Sequence, residues 1–304
     1  MASTWNASNS TVTQDRAEAL AVTERELDDN GLLADATKRR RRRKLVIRAS
    51  QLAVLVVAIG LWQLICGPRG SGALIDSYYV SRPSDVIGAL HQWIGSGLLW
   101  SSIEATVEVT LIGLVIGLVG GLVIGFVLGV NPVLSAVLNP FISALYSIPR
   151  LALSPLLLLW FGIGISSKLA LVVTLVGFLV FFNTYSGVRD VDQEMVNEMR
   201  LMGANRWQIY GKLVLPSAMT WIVAGLRVAT PMALVGAVTA EMLMSDRGLG
   251  FLVLNSSSQF YTQGVFAAII VLMVIAMILN GLITLFERRA LHWKPELRDG
   301  GGRL

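Results

Sequence analysis

The sequence predicts an all-α, polytopic membrane protein with six transmembrane helices. Of its 304 residues, 54% are apolar and only 15% are charged, and the mean hydropathy is +0.64, whereas a soluble domain usually carries about a quarter charged residues. Several apolar runs approach or exceed the roughly 20 residues that cross about 30 Å of hydrocarbon. Lysines and arginines flank these runs, so the net charge of +5 reflects a place in the lipid bilayer and not a nucleic-acid partner.

Six apolar runs are expected to form the spans, at residues 46–66, 106–130, 133–149, 168–187, 219–243 and 265–286. The third is short and runs into Pro149, Arg150 and a further apolar stretch at 151–164. Because Pro149 and Pro155 disfavour one straight helix, this stretch is expected to be re-entrant or to lie at the interface. Irregular backbone is tolerated at membrane depth only where protein or a water-filled cavity satisfies it, so the stretch is a candidate to line a path.

The chain divides into four predicted parts. Residues 1–44 form a polar and then acidic tail that ends in the basic run KRRRRRK, and such a composition predicts disorder because it cannot bury a core. The other parts are the first span with an outer interfacial helix at 45–100, the transmembrane core at 101–292 with a cytoplasmic loop at 189–217, and a C-terminal tail at 293–304.

The basic residues also predict the orientation. Most of those near the spans fall on the side of the N-terminus, so the positive-inside rule places both termini in the cytoplasm, and an even number of crossings agrees. The basic run itself either fixes this topology or binds anionic lipid head groups.

The second predicted span carries a glycine at every fourth position. Residues four apart share one helix face, so these glycines form a groove that lets another helix approach closely. We therefore predict a helix-packing face at Gly113, Gly117, Gly121, Gly125 and Gly129.

The composition leaves little for catalysis or metal binding. One cysteine, Cys66, excludes a disulfide framework, an iron–sulfur cluster or a zinc-thiolate site within one chain. An intramembrane enzyme would need a nucleophile and a base at the same depth, yet the spans place His91 outside, His292 inside and Cys66 at the outer edge. We predict no catalytic residue, no metal site and no enzyme activity.

Three polar residues within or at the ends of spans are candidates to line a path. Arg227 lies inside the fifth span, where it could attract an anion or form a structural bond towards the membrane surface. Glu241 lies near the outer end of that span, either as a pathway contact or exposed at the interface. Asn183 lies near the inner end of the fourth span and could also hydrogen-bond between helices.

The loop between the fourth and fifth spans resembles the coupling loop of ABC-importer permeases. The loop sequence is NEMRLMGANRWQIYGKLVLPSA, residues 197–218. The family pattern is E-A-A, three residues, Gly, nine residues, Ile, one residue, Leu-Pro. Gly203, Leu215 and Pro216 match at the right separations, and Leu213 replaces the Ile conservatively. The opening triplet departs from the pattern, because Asn197, Glu198 and Met199 stand there.

Other segments extend the resemblance over roughly residues 83–293. They are similar to the branch that imports nitrate, bicarbonate, taurine, alkanesulfonates and related small anions, and comprise SRPSDV (81–86), SIPRLALSPLLLLWFGIGISSKLA (147–170), NTYSGV (183–188), AGLRVA (224–229) and AEMLMSDRGLGFLV (240–253).

The resemblance implies a MetI-like type I ABC-importer permease fold in a bacterial inner membrane. It implies a dimer with a second permease subunit, either identical or a related polypeptide, together with two P-loop ATPase subunits and an extracytoplasmic substrate-binding protein. The mechanism it implies is alternating access for a small organic anion such as a sulfonate, nitrate or carboxylate. No G-x-x-x-x-G-K-[ST] occurs in the sequence, so ATP and Mg are expected in the partner ATPase, and no cofactor is expected on this chain. The implied ATPase-coupling residues are Glu198, Met199, Leu201, Met202, Gly203, Ala204, Asn205, Leu215 and Pro216.

The alternative is an ion-coupled secondary transporter or channel without an ATPase partner. That class predicts repeated halves and mid-membrane carboxylates or pore-lining charge rings. The sequence shows no convincing inverted repeat, and most acidic residues lie near span ends.

Overall fold

The computed structural model of the chain describes residues 42–43, 45–67, 75–76 and 78–290. The expectations for most of the N-terminal tail with its basic run, for His292 and for the C-terminal tail at 293–304 fall outside the described residues.

The chain divides into two units, Met1–Ile65 and Cys66–Leu304. In the first unit, helix α1 (Leu45–Ile65) is 21 residues long and apolar enough to cross a membrane. It agrees with the predicted span at 46–66.

The second unit opens with a short segment that precedes the long helices. Strand β1 (Cys66–Gly67) pairs in parallel with β2 (Ile75–Asp76), the only strand pair in the part of the chain that the structure describes. Helix α2 (Pro83–Gly95) follows, with Pro at its first position, where a missing N–H costs nothing. It packs against the helices at 98–130 and 262–290, and its buried side chains include Trp93.

Three long helices form the centre of the second unit: α3 (Leu98–Val130), α6 (Ile165–Arg189) and α9 (Leu215–Met244). Their shared core consists mainly of alanine and valine side chains, and the small alanines allow close helix packing. It contains Val109, Leu114, Val172, Val176, Val180, Leu226, Ala229, Ala233 and Ala237. Helix α3 begins eight residues before the predicted span, because the hydropathy pattern marks only the apolar part of a longer helix.

The glycines of the predicted packing face lie against α6. A Cβ atom added at Gly113, Gly117 or Gly129 would come within 2.5–2.8 Å of Val172, Val176 or Val188. At Gly121 and Gly125 it would meet the α6 backbone, with the oxygens of Gly177 and Phe181 at 2.6 and 2.7 Å. A β-carbon fits none of these positions without displacing α6.

The third predicted span is broken. Helix α4 (Pro132–Ser147) is followed by a 3₁₀ turn at Arg150–Leu153 and by α5 (Ser154–Phe161), and the two segments are bent by 82°. Pro149 explains the break, because the residue before a proline is pushed out of the helical region and Ile148 is extended. The described residues thus contain five helices able to cross a membrane, and six if the bent pair counts as one span.

After α6 the chain forms the loop helices α7 (Gln193–Leu201) and α8 (Arg206–Ile209), and a π-helical segment at Tyr210–Val214 leads into α9. Helix α10 (Leu249–Ser258) and helix α11 (Thr262–Ala290) complete the described chain.

Candidate functional site

The predicted coupling loop is closed by a tight helix end at Gly203. The N–H of Gly203 donates to Arg200 O and the N–H of Ala204 donates to Met199 O, both at 2.9 Å, which is the Schellman pattern of helix termination. This pattern needs a left-handed residue, and Gly203 has φ +83°, which only glycine adopts without strain. The backbone conformation of this turn therefore explains why the sequence motif has a glycine at position 203.

The next helix begins two residues later with a capping box. The Asn205 side chain accepts from the Gln208 N–H at 2.9 Å, and the Gln208 side chain accepts from the Asn205 N–H at 2.8 Å. Since both ends of the turn are fixed by hydrogen bonds, the connection between α7 and α8 is a rigid corner.

The sequence predicts a loop at 189–217 and a separate span at 219–243, but one helix continues through Pro216. One helix runs from Arg206 to Met244. A proline inside an α-helix removes one hydrogen bond and clashes with the carbonyl four residues earlier. The π-helical turn at Tyr210–Val214 lies on that side of Pro216, and its wider i→i+5 spacing relieves the conflict.

The corner presents an unusually exposed apolar surface. Leu201, Met202 and Trp207 are 88%, 78% and 82% exposed, and we call these three residues the apolar corner. Glu198, Gly203 and Asn205 are also exposed, whereas Met199 and Ala204 are half-buried and pack inward. Trp207 was absent from the predicted set, although a large apolar residue two positions after Asn205 in the motif loop could have indicated it.

A second apolar cluster fastens the loop to the long helices. It joins residues of α6, α7, α8 and α9, namely Val188, Val191, Val196, Ile209, Val214, Ala218 and Ile222. Partly buried Leu122 and Phe126 of α3 pack against it. The Tyr210 ring meets Trp207 on one side and Phe126 on the other, with ring centroids 6.3 and 6.1 Å away. The loop that carries the apolar corner thus packs against α3, α6 and α9.

At the other end of α9, Glu241 is fully buried, so interfacial exposure does not hold. Its Oε2 accepts from Thr106 Oγ1 and from the Gly250 N–H, both at 2.9 Å, while Thr106 Oγ1 accepts from the Leu249 N–H. A Cβ at Gly248 would lie 2.5 Å from the carboxylate oxygens, so only glycine lets this turn close on Glu241. The carboxylate ties α3, α9 and α10 together.

Lys168 lies buried in the same region of the bundle. Its Nζ donates to Ser245 Oγ at 3.1 Å, and Ser245 Oγ donates to Arg247 O at 2.6 Å. The start of α6 is therefore hydrogen-bonded to the turn that follows α9.

The three predicted path residues are not brought together. Arg227 and Glu241 are separated by about 21 Å along α9, at 1.5 Å per residue. Arg227 is 67% exposed, with Nη1 3.8 Å from Glu287 Oε2. Asn183 donates to Leu179 O within its own helix at 2.8 Å and packs against Gly225 of α9. Within the described residues, no three metal-binding side chains lie close enough to hold an ion.

Comparisons with known proteins agree on one family. Residues 113–292 match the family described as "Binding-protein-dependent transport system inner membrane component". The chain is 29% identical to the putative aliphatic sulfonates transport permease protein of Bacillus subtilis, over 86% of this chain and 93% of that protein. It is 36% identical to the riboflavin transport system permease protein of Chloroflexus aurantiacus, over 79% of this chain and 88% of that protein.

The comparison with solved structures concerns the fold. An inward-facing structure of the MetNI methionine ABC transporter matches with a TM-score of 0.57 and 18% identity, over 64% of this chain and 96% of that chain. At this identity the likeness concerns the fold alone. The predicted fold class and the resemblance to importer permeases are confirmed.

Proposed function

This chain belongs to the family of binding-protein-dependent transport system inner membrane components, the permeases of ABC importers, and from that premise we propose that it forms the substrate path of an ATP-driven importer. Two copies of the chain enclose the path and alternate between inward and outward access. Two separate P-loop ATPase subunits supply the energy, and an extracytoplasmic binding protein delivers the solute.

The apolar corner is the observation that carries this proposal. Three large apolar side chains stand on a corner fixed by a Schellman turn and a capping box. Exposed apolar groups of this kind mark an interaction site, and methionine adapts to an irregular partner surface. The corner docks into a groove of the ATPase subunit, and the remaining motif residues position it.

The cluster beneath the corner supports a mechanical role. Movement of the ATPase groove pushes on Trp207, which contacts Tyr210, which contacts Phe126 of α3. Because packed interiors transmit strain instead of absorbing it, the push reaches the long helices.

The topology follows from the same proposal. The corner faces the cytoplasm, where the ATPase subunits lie, and this places both termini there. ATP and Mg bind to the partner, since this sequence holds no phosphate-binding loop of the G-x-x-x-x-G-K-[ST] type.

We assign a small organic anion, a sulfonate or a carboxylate, as the solute. The relative named for aliphatic sulfonates supports this class, although the relative named for riboflavin is the more similar in identity.

Co-purification of the ATPase subunit tests the proposal. Gly203→Asp places a charge in the apolar corner at a left-handed position with open space around it, and we expect loss of the ATPase subunit and of uptake with normal membrane insertion. Gly97→Asp is the matched control, because Gly97 has φ +76° and equally open space but precedes α3 at its outer end. Trp207→Ala, which leaves the backbone unstrained, should weaken the association.

Two results would contradict the coupling assignment. One is normal uptake by Gly203→Asp. The other is equal loss of the ATPase in Gly203→Asp and Gly97→Asp, which would indicate a general folding defect. A homo-oligomer that transports without any ATPase would favour the ion-coupled secondary transporter.

A further inference from the structure

Arg150 stands at the bend between α4 and the 3₁₀ turn. Its Nε and Nη2 atoms are enclosed and have no hydrogen-bond partner among the residues that the structure describes. The guanidinium carbon lies 4.8 Å from the centre of the Tyr146 ring and 4.7 Å from the centre of the Phe178 ring. A cation is therefore held between two aromatic rings with two of its donors unused.

The position makes these unused donors significant. Helix α4 has 16 residues and rises about 24 Å, less than the roughly 30 Å of the hydrocarbon region. If α4 starts at the inner interface, the bend at Arg150 lies within the membrane. An arginine there is costly and is normally paired. Aromatic faces stabilise the charge but leave the N–H groups unsatisfied.

An apolar cavity adjoins the same aromatic ring. It has a volume of about 350 Å³ and lies between α3, α4 and α6, lined by Ile116, Ile142, Leu145, Val173, Phe178 and Phe181 among others. Phe178 thus belongs both to the cavity wall and to the stack on Arg150. A ligand with an apolar body and one anionic end fits this combination.

The two free donors have a specific geometry. Nε and Nη2 form one edge of the guanidinium, and two parallel N–H groups of this kind bind both oxygens of a carboxylate or sulfonate. The edge is covered in this conformation. The Tyr146 ring packs on the guanidinium, and because Tyr146 is 50% exposed, this side chain has room to move away.

We propose that Arg150 binds the anionic group of an organic sulfonate or carboxylate, while the cavity at Phe178 receives the apolar body of that ligand. This inference rests on the proposed function, because it places a transported solute at the broken span. A phospholipid phosphate offers the same oxyanion chemistry, so the experiment separates the two sources.

Binding of 1-butanesulfonate and butanoate to the full-length chain in lipid nanodiscs tests this site without any ATPase. Isothermal titration calorimetry should give a Kd at least tenfold higher for Arg150→Gln than for wild type. Arg150→Lys keeps the charge but loses the two-donor edge and should fall in between. Arg247→Gln, a change at an exposed arginine outside the spans, should bind like wild type.

A neutral analogue provides a measurement that needs no variant. Butyl methyl sulfone has a similar apolar body without the charge, and wild type should bind it at least tenfold more weakly than butanesulfonate. Equal affinity for the two compounds, or no binding of either anion by wild type, overturns the proposal. So does unchanged anion binding by Arg150→Gln with loss of one bound phospholipid in native mass spectrometry, which would assign the guanidinium to a lipid phosphate.

The outcomes are independent of those of the coupling test. Failure of anion binding leaves the co-purification of the ATPase subunit untouched. Failure of Gly203→Asp to release the ATPase leaves the affinity of Arg150 for anions untouched.

Discussion

Two adjacent glycines of α3 allow the close approach of α3 and α6 to be measured directly. A Cβ at Gly121 would lie 2.6 Å from Gly177 O, 2.8 Å from Val180 Cβ and 2.9 Å from Phe181 N. A Cβ at Gly120 would have nothing within 4 Å. Gly121→Ala and Gly120→Ala therefore add the same methyl group to the same helix, one against a neighbouring backbone and one into open space.

The expected difference follows from two terms. Replacing glycine by alanine in a helix interior favours folding by about 0.8–1.0 kcal/mol, and this gain is common to both variants. At Gly121 the contact to Gly177 O must open from 2.6 Å to about 3.4 Å, and overpacking of this kind costs about 1–3 kcal/mol. Since two of the three contacts are backbone atoms, no side-chain rotation relieves the clash. We expect Gly121→Ala to be less stable than Gly120→Ala by about 1–3 kcal/mol.

Unfolding of the purified chain in mixed micelles, followed by tryptophan fluorescence against increasing SDS, measures this difference. Gly120→Ala should be as stable as wild type or more stable. Equal stability of the two variants would refute the close approach of α3 and α6 at Gly121. A lower stability of Gly120→Ala alone would indicate that α6 contacts the face of α3 that carries Gly120 and not the face that carries Gly121.

Two further predictions concern the other polar sites. Glu241→Leu leaves the Gly250 N–H without its acceptor and removes the bond from Thr106, whose hydroxyl keeps the Ser102 carbonyl as acceptor, and it should cost about 1–3 kcal/mol of stability. Glu241→Gln keeps an acceptor and should lose less. Protease cleavage within 245–248 reports the release of α10. Glu104→Leu at an exposed site is the control, and equal effects of Glu241→Leu and Glu104→Leu would contradict the role of Glu241 in joining the helices. Arg227→Gln and Glu287→Gln should each change the free energy of unfolding by less than about 1 kcal/mol, because the ion pair is long and Arg227 is mostly exposed. Anion uptake should persist in both variants. A fall in uptake confined to Arg227→Gln would support the predicted role of Arg227 in the path.

Sequence reasoning succeeded where the signal is local. Apolar length located α1, α6 and α11 within a few residues, because hydrophobic run length is a property of one segment. The glycine spacing of α3 and the Gly-to-Leu-Pro spacing of the loop are likewise readable within one helix or one turn. The double proline at 149 and 155 indicated the broken span for the same reason.

Sequence reasoning failed where the signal is long-range. Thr106 and Glu241 are separated by 135 positions, and nothing local in either segment indicates that they meet. Arg150 entered the sequence analysis only as part of the stretch after the third span, since its neighbour Phe178 lies in another helix. The continuation through Pro216 was missed because a π-helical turn leaves no hydropathy signature.

The contrast between two parts of the bundle bears on how the proposed importer could move. Helices α3 and α6 meet along the glycine face, and the apolar corner is packed onto them through Ile209 and its neighbours. Helix α4 buries only Ser135, whose hydroxyl lies 2.6 Å from the Tyr185 hydroxyl of α6. Arg189 donates to the Tyr185 hydroxyl at 3.1 Å. Since densely packed elements move together while sparsely packed ones reorient at low cost, the proposed push at the corner would displace α3 and α6 against an α4 that is held near its start. The largest relative movement would then fall at the far end of α4, where Arg150 and Tyr146 lie, and this is where the proposed anion site would have to open.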